Sequence, residues 1–260
     1  MRFVLALLSS LGLASSAVAQ ERIGFSSNDG TVITGELYKP SGTAPMAAIV
    51  GLHGCSGMYR DGKPLSQISA WAKAFNDAGF VFLAVDSFGP RGLKSVCSPS
   101  DGELRGAVRA QDGFGAAKWL ATQAYVNKAR IGLIGWSHGG NAALAAATIT
   151  PRPSVEIASV IAFYPPCKVY IDLKARPKVK LAIMHGASDN WTPVGPCEEF
   201  ARLHNIDFVS YPGAYHNFDW PGLRMTVLRG VGPSGSAVIA TNEPAREAAM
   251  AKTLAIFKAM

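Results

Sequence analysis

The sequence predicts one α/β domain in which helices cover both faces of a mostly parallel central sheet. Short apolar runs alternate with longer segments of helical periodicity along most of the chain. Strands that are buried on both faces have this uninterrupted apolar pattern, and a helix between two strands makes them parallel neighbours. The 260 residues are 48% hydrophobic and 17% charged, which excludes collagen, a coiled coil, a disordered chain and a small disulfide scaffold.

The positions of the elements follow from turn and helix-breaking residues, taken in chain order. Asn28-Asp29-Gly30 predicts a hairpin that joins Ile23–Phe25 to Thr31–Tyr38. Further strands are predicted at Ala47–Leu52, Phe80–Val85, Arg130–Gly135, Val160–Tyr164, Leu181–His185 and Phe208–Tyr211. Helices are predicted at Leu65–Ala78, Asp101–Thr122, His138–Thr148, Pro196–Leu203 and Glu243–Lys258. The long Gly-containing loop Asp219–Ala240 is expected to form a flap or an extra hairpin at the sheet edge.

Residues 1–19 have the layout of a secretory signal peptide. Arg2 supplies the positive charge, Phe3–Leu13 is an apolar run, and Ala17-Val18-Ala19 is a small-residue cleavage motif. The apolar run is too short and too rich in serine to cross a bilayer. We therefore expect cleavage after Ala19, a mature domain over residues 20–260, a periplasmic or secreted location, and no membrane contact after cleavage.

The charge pattern and the motifs also bear on partners and cofactors. The formal net charge is +7, but the basic residues are scattered rather than clustered as a nucleic-acid surface requires. No phosphate-binding glycine motif occurs, and His53 with Cys55 is a poor set of metal ligands. We expect no nucleic-acid partner, no nucleotide cofactor and no metal, and a monomer is the simplest oligomeric state.

The four cysteines become informative if the protein is exported, because an oxidising compartment allows disulfides. Three pairings are possible. Cys55 and Cys97 follow one pair of neighbouring predicted strands, and Cys167 and Cys197 follow another pair. This placement predicts the disulfides Cys55–Cys97 and Cys167–Cys197.

A candidate nucleophile lies in Gly135-Trp136-Ser137-His138-Gly139, which matches the pattern G-x-S-x-G. The pattern alone also fits an ordinary glycine-rich turn. Its context is more specific, because a predicted buried strand precedes Ser137 and a predicted helix follows it. A serine on such a sharp strand-to-helix turn presents its hydroxyl above the edge of the sheet.

A serine nucleophile needs a base and an orienting acid, which in this kind of fold follow in the order acid, then histidine. His216 comes just after the last predicted strand, at the sheet edge that carries Ser137. His185 precedes any candidate acid, and a solvated position on a helix suits His204 better. His216 is therefore the predicted base.

Asp189 is the predicted acid, because it leaves the carboxyl end of the strand Leu181–His185. Asp207 precedes its strand and so lies at the wrong end. Asp219 follows His216 and is expected to be a surface group. The predicted triad is Ser137, Asp189 and His216.

The predicted oxyanion hole consists of two backbone N–H groups. His138, at the start of a helix, offers one of them. The His53-Gly54 turn after the first parallel strand offers the N–H of Cys55, although this turn also fits a simple strand end. Trp136, Trp191 and Trp220 each adjoin a predicted site position, which suits either an acyl pocket or core packing.

The motifs together resemble those of the dienelactone hydrolase family of α/β-hydrolases. The resemblance covers nearly the whole mature chain and rests on Leu52-His53-Gly54-Cys55-Ser56-Gly57, Asp86-Ser87-Phe88-Gly89-Pro90-Arg91-Gly92, Gly135-Trp136-Ser137-His138-Gly139-Gly140, Asp189 and Gly213-Ala214-Tyr215-His216-Asn217-Phe218. It implies the α/β-hydrolase fold and a cofactor-free enzyme whose substrate is a small ester or lactone. It also implies that Arg91 lies near a substrate carboxylate, although Arg91 equally suits a structural role in its turn.

The sequence departs from the best-known members of that family at three positions. Ser137 replaces a cysteine nucleophile, Trp220 replaces a second arginine, and Gly54 replaces a glutamate. These departures argue against dienelactone itself as the substrate. Two alternatives stay open: a prolyl-oligopeptidase-like peptidase, for which the sequence contains no propeller domain, and a non-catalytic binding protein, which would lack a member of the triad.

Overall fold

The computed structural model describes residues 19–42, 45–98, 103–150 and 153–260. Residues 1–18 of the predicted signal peptide lie outside this range. The strands are β1 (Ala19–Ser26), β2 (Val32–Lys39), β3 (Met46–Leu52), β4 (Tyr59–Arg60), β5 (Lys63–Pro64), β6 (Val81–Asp86), β7 (Val126–Trp136), β8 (Ser159–Phe163), β9 (Lys180–Gly186), β10 (Asp207–Tyr211), β11 (Thr226–Arg229) and β12 (Ser236–Ile239). The helices are α1 (Ser66–Asp77), α2 (Gly106–Ala121), α3 (His138–Thr148), α4 (Lys168–Asp172), α5 (Gly195–His204) and α6 (Glu243–Lys258).

The central sheet has eight strands in the order β1-β2-β6-β3-β7-β8-β9-β10. The hairpin β1–β2 is antiparallel, as is the pairing of β2 with β6. All pairings from β6 to β10 are parallel. The carboxyl ends of these strands therefore meet at one edge, as the sequence predicts, and the fold is that of a single-domain α/β-hydrolase.

Two apolar cores lie on the two faces of the sheet. One contains the inward sides of α2, α3 and α5, and the other contains those of α1 and α6. Strand β3 contributes to both, because Ala48 and Val50 belong to the first core and Ala47 and Ile49 to the second. This alternation explains why the central strands are apolar at every position.

The structure differs from the predicted elements in a few places. Helix α2 begins at Gly106, since Arg105 has an extended backbone with φ −61° and ψ 144°; the predicted start at Asp101 lies outside the described residues. The short ribbon β4–β5 and the helix α4 were not predicted. The loop after Asp219 does contain a hairpin, β11–β12, but this hairpin is a separate ribbon and does not extend the edge of the main sheet.

Both predicted disulfides are present. Cys55 is bonded to Cys97 and Cys167 to Cys197, so no cysteine is free. The first bridge joins the segments after the neighbouring strands β3 and β6, and the second joins those after β8 and β9. Over the described ranges, the structure contains no helix that is both long and apolar enough to span a bilayer.

Candidate active site

Ser137 lies on a strained turn between β7 and α3. Its backbone has φ 54° and ψ −113°, a conformation that a residue with a side chain rarely adopts. The flanking glycines make this turn possible. A Cβ atom at Gly135 would overlap the carbonyl oxygen of Gly139, and one at Gly139 would overlap that of Leu52. The glycines of the G-x-S-x-G pattern are thus required by close backbone approaches.

The structure brings Ser137, His216 and Asp189 together in one hydrogen-bonded chain. The Oγ of Ser137 lies 2.9 Å from Nε2 of His216, and Nδ1 of His216 lies 2.7 Å from Oδ2 of Asp189. A carboxylate only accepts hydrogen bonds, so the imidazole proton is at Nδ1 and Nε2 accepts from the serine hydroxyl. All three side chains come from segments that follow the carboxyl ends of β7, β9 and β10.

The carboxylate of Asp189 is fixed by its own loop. Its Oδ1 accepts hydrogen bonds from the backbone N–H groups of Trp191 and Thr192, at 2.9 and 3.0 Å. The Thr192 hydroxyl donates to Oδ2 at 3.0 Å. Burial raises the pKa of Asp189, but the charge and hydrogen bond of His216 and the Thr192 N–H outweigh it, so that the net pKa is lowered. Thr192 was not among the predicted site residues, although the Asp-x-x-Thr spacing is typical of a turn capped by the aspartate side chain.

The imidazole of His216 packs against two aromatic rings. Its centre lies 4.6 Å from that of Tyr164 and 4.8 Å from that of Trp191. His185 is also buried nearby, with Nδ1 4.0 Å from Oδ2 of Asp189. Burial lowers the pKa of His185, so it stays neutral beside the Asp189 carboxylate at neutral pH.

The two predicted oxyanion donors flank the serine. Within the described parts of the chain, neither the N–H of Cys55 nor that of His138 has a hydrogen-bond acceptor. The loop of Cys55 passes close to the serine, since a Cβ at Gly54 would lie 3.9 Å from Cβ of Ser137. The Cys55 carbonyl accepts from the N–H of Val96 at 2.9 Å, which together with the disulfide fixes this loop. The N-terminus of α3 adds the positive end of a helix dipole.

A cavity of about 230 Å³ adjoins Ser137 and His216. The three tryptophans singled out from the sequence, Trp136, Trp191 and Trp220, all border it. Trp136 is also fully buried and packs on Trp71 at 5.6 Å between ring centres, so this residue both borders the cavity and packs in the core. Further lining residues were not predicted; they include Leu223, Leu228 and Ile239 from the β11–β12 region and Arg60 of β4.

Arg91 does not border this cavity, contrary to the expectation that it lies near a substrate carboxylate. Its guanidinium binds the carboxylate of Asp112 through two hydrogen bonds of 2.8 Å and the Ser87 carbonyl at 2.7 Å. A buried carboxylate requires such a partner. Arg91 therefore has a structural role in its turn, which the sequence suited equally well.

Asp219 is fully buried, so the expectation of a surface position is wrong. Its carboxylate accepts hydrogen bonds from Tyr164 at 2.6 Å and from Trp71 at 2.8 Å, as well as from Gln67. Burial raises the pKa of Asp219 even though these hydrogen bonds oppose the change. The cluster holds the loop that follows His216 and the ring of Tyr164 behind the imidazole.

The arrangement contains the parts that acyl transfer needs: a nucleophile hydrogen-bonded to a base, an acid that orients the base, and two N–H donors that have no acceptor among the described residues. Among the described residues, no group of three or more histidine, cysteine or acidic side chains is placed to hold a metal ion.

Comparison with known proteins finds one matching family model and several solved structures with a similar fold. The model of the dienelactone hydrolase family matches residues 33–260. A crystal structure of a dienelactone hydrolase-like promiscuous phosphotriesterase from metagenomic libraries is 18% identical, with TM-score 0.68 over 94% of this chain and 98% of that chain. A putative dienelactone hydrolase from Klebsiella pneumoniae subsp. pneumoniae MGH 78578 is 16% identical, with TM-score 0.67 over 92% of this chain and 99% of that chain.

The esterase domain of a Rhodothermus marinus protein is 20% identical, with TM-score 0.54 over 76% of this chain and 90% of that chain. At such identities these structures establish the α/β-hydrolase fold alone. No curated protein matches this chain in sequence.

Proposed function

Because the chain belongs to the dienelactone hydrolase family and so to a family of hydrolases, we propose that it is an exported serine hydrolase of carboxylic esters or lactones. The reaction passes through an acyl-enzyme on Ser137. The observation that carries this proposal is the continuous chain from Ser137 Oγ through His216 to Asp189, with hydrogen bonds of 2.9 and 2.7 Å, at the wall of a cavity.

In the proposed mechanism, Ser137 Oγ attacks the carbonyl carbon while its proton passes to Nε2 of His216. The carbonyl oxygen becomes an oxyanion that accepts hydrogen bonds from the N–H groups of Cys55 and His138. The intermediate collapses as the C–O bond of the ester breaks, and His216 gives its proton to the leaving alcohol. Water then attacks the acyl-enzyme with His216 again as base, which releases the acid and restores Ser137.

Asp189 contributes by holding His216 in the tautomer whose Nε2 accepts a proton. Its negative charge also stabilises the imidazolium that forms when Ser137 attacks. Both roles depend on a carboxylate that stays ionised, which agrees with the lowered pKa of Asp189. The structure of the Asp189 loop thus supports the proposed division of roles.

The size of the cavity supports a substrate with a small acyl group. Its volume of about 230 Å³ lies below the range of roughly 300–1,000 Å³ that is usual for drug-sized ligands. The surface of the cavity is mainly apolar, and three tryptophans contribute to it. The binding-protein alternative predicts a missing member of the triad, whereas all three side chains are present and in contact.

Export is the second part of the proposal. The two disulfides fit an oxidising extracellular compartment, and the first nineteen residues have the layout of a signal peptide. Expression of the full chain in a bacterium with a periplasm should yield mature protein that begins at Gln20. Full-length protein retained in the cytoplasm, with intact Met1, would contradict export.

Esterase activity is tested with p-nitrophenyl acetate and a small lactone. The Ser137→Ala variant should lose hydrolysis and also labelling by a fluorophosphonate probe. Ser159→Ala is the matched control, because Ser159 is also buried but begins β8 at the opposite end of the strands. Hydrolysis by Ser137→Ala at the wild-type rate would refute the proposed nucleophile.

A further inference from the structure

Arg109 is a fully buried arginine on α2 that the proposed mechanism does not use. Its side chain has no solvent exposure, and its guanidinium carbon lies 4.9 Å from the centre of the Phe88 ring. Taking a cation out of water is costly unless its surroundings compensate for it. The contacts of Arg109 must therefore compensate for the lost hydration of its guanidinium.

The guanidinium joins two segments that are distant in sequence. One terminal nitrogen donates to the carbonyl oxygen of His53 at 2.7 Å. The other lies 2.8 Å from Nδ1 of His138 and donates to it, since arginine only donates. His53 precedes the Gly54-Cys55 turn, and His138 directly follows Ser137. Each segment carries one of the two proposed oxyanion donors.

Within the described parts of the chain, Arg109 is held by hydrogen bonds rather than by an ion pair. Among the described residues it forms no salt bridge, and the nearby carboxylate of Asp112 is paired with Arg91 at 2.8 Å. Burial lowers the pKa of Arg109 to about 9, so the guanidinium remains charged at neutral pH. The positive charge of Arg109 thus lies beside the Ser137 turn, and its two hydrogen bonds go to neutral groups.

We propose that Arg109 is a positioning residue of the oxyanion hole. Its two hydrogen bonds hold the Cys55 and His138 segments so that their N–H groups converge, and its charge favours negative charge on the substrate oxygen. This inference rests on the proposed function, because it assigns a role in the same reaction. It adds a residue that neither the serine motif nor the triad includes.

In this role, Arg109 stabilises the transition state and not the bound substrate. In Arg109→Met, kcat for p-nitrophenyl acetate should fall by about 10- to 100-fold, less than the roughly 10²–10³-fold typical of removing an oxyanion donor itself. KM should change by less than about threefold, since the donors act on charge that develops during the reaction. Arg109→Lys keeps a charge and one hydrogen bond and should show an intermediate loss.

The distinguishing readout is the inhibition constant of a small alkyl boronic acid. Such an acid forms a tetrahedral adduct with a serine nucleophile and so resembles the intermediate. Its Ki should rise in proportion to the fall in kcat/KM across Arg109→Lys and Arg109→Met. Phe257→Leu is the control for lost stability, because Phe257 is buried in the core of the opposite sheet face; it should lower Tm without changing Ki.

Three results would overturn the inference: a lower Tm with unchanged kcat and Ki, a rise in KM alone, or a fall in kcat without a rise in Ki. If Arg109→Met does not fold, the same comparison is made with Arg109→Lys. The Ser137→Ala variant separates this inference from the proposed function. If it keeps the activity, the proposed function fails; if it is inactive while the Arg109 variants behave like wild type, only the role of Arg109 fails.

Discussion

Replacing Asp189 by asparagine tests whether the acid controls the tautomer of His216. In the structure, Oδ1 of Asp189 accepts two backbone N–H groups, from Trp191 and Thr192. An amide NH₂ cannot take that place, because two donors would face each other. The asparagine must therefore keep its oxygen there and direct its NH₂ toward Nδ1 of His216.

The consequence is a proton on the wrong nitrogen. The asparagine amide donates to Nδ1, so the imidazole proton moves to Nε2, which lies 2.9 Å from Ser137 Oγ. An Nε2–H group cannot accept the serine proton. The charge that stabilises the imidazolium is lost as well. We expect kcat to fall by about 10³- to 10⁴-fold, which corresponds to roughly 4–5 kcal/mol of transition-state stabilisation.

The assay is steady-state hydrolysis of p-nitrophenyl acetate at neutral pH, with circular dichroism to verify folding. Thr192→Val is the matched control, because it removes only the hydroxyl that donates to Oδ2 at 3.0 Å and leaves the carboxylate in place. Its kcat should fall less than about tenfold, the effect of one net hydrogen bond. A folded Asp189→Asn variant with kcat within tenfold of wild type would refute the tautomer argument.

Two further predictions concern stability. Burial and the charge of Arg109 lower the pKa of His138 from 6.5 to about 3, so the unfolded chain binds the proton first. The free energy of unfolding therefore decreases as the pH falls from 6.5 toward 3, by about 2 kcal/mol between pH 7 and 5. Urea unfolding of His138→Gln should show a pH dependence that is smaller by this amount; an unchanged dependence contradicts it. Replacing Cys55 and Cys97 by serine opens a loop with a sequence separation of 42 residues and should cost about 4 kcal/mol. Since the Cys55 donor is main-chain, kcat of the folded variant should fall by less than about tenfold; a larger loss in fully folded protein would contradict this reasoning.

The sheet and the positions of the site residues were predictable because they depend on local patterns. Uninterrupted apolar runs indicated the parallel strands, and parallel strands place their carboxyl ends at a common edge. With that rule, the serine motif and the chain order of acid and histidine, Ser137, Asp189 and His216 were expected to meet, and the structure places them in hydrogen-bond contact. The strand order also predicted which cysteines pair.

The predictions were wrong or incomplete where contacts between residues distant in sequence determine the position of a side chain. Arg91 and Asp112 are 21 residues apart, and nothing in the local sequence indicates that they pair. Asp219 is buried because Gln67, about 150 residues earlier, donates to it together with aromatic side chains. Arg109 lies within an ordinary helical pattern, and only the tertiary structure shows that it contacts both segments beside Ser137. Side-chain pairing of this kind leaves no periodic signal in the sequence.

The most direct measurement is chemical trapping of the covalent intermediate. The protein is mixed with p-nitrophenyl acetate, quenched in acid within one turnover, digested and analysed by mass spectrometry. An acetyl group on the peptide that contains Ser137, lost on longer incubation before the quench, is the expected result. Continued turnover with the acetyl group on another residue, or with no acetylated peptide under conditions where acylation outpaces deacylation, would contradict the proposed chemistry of Ser137.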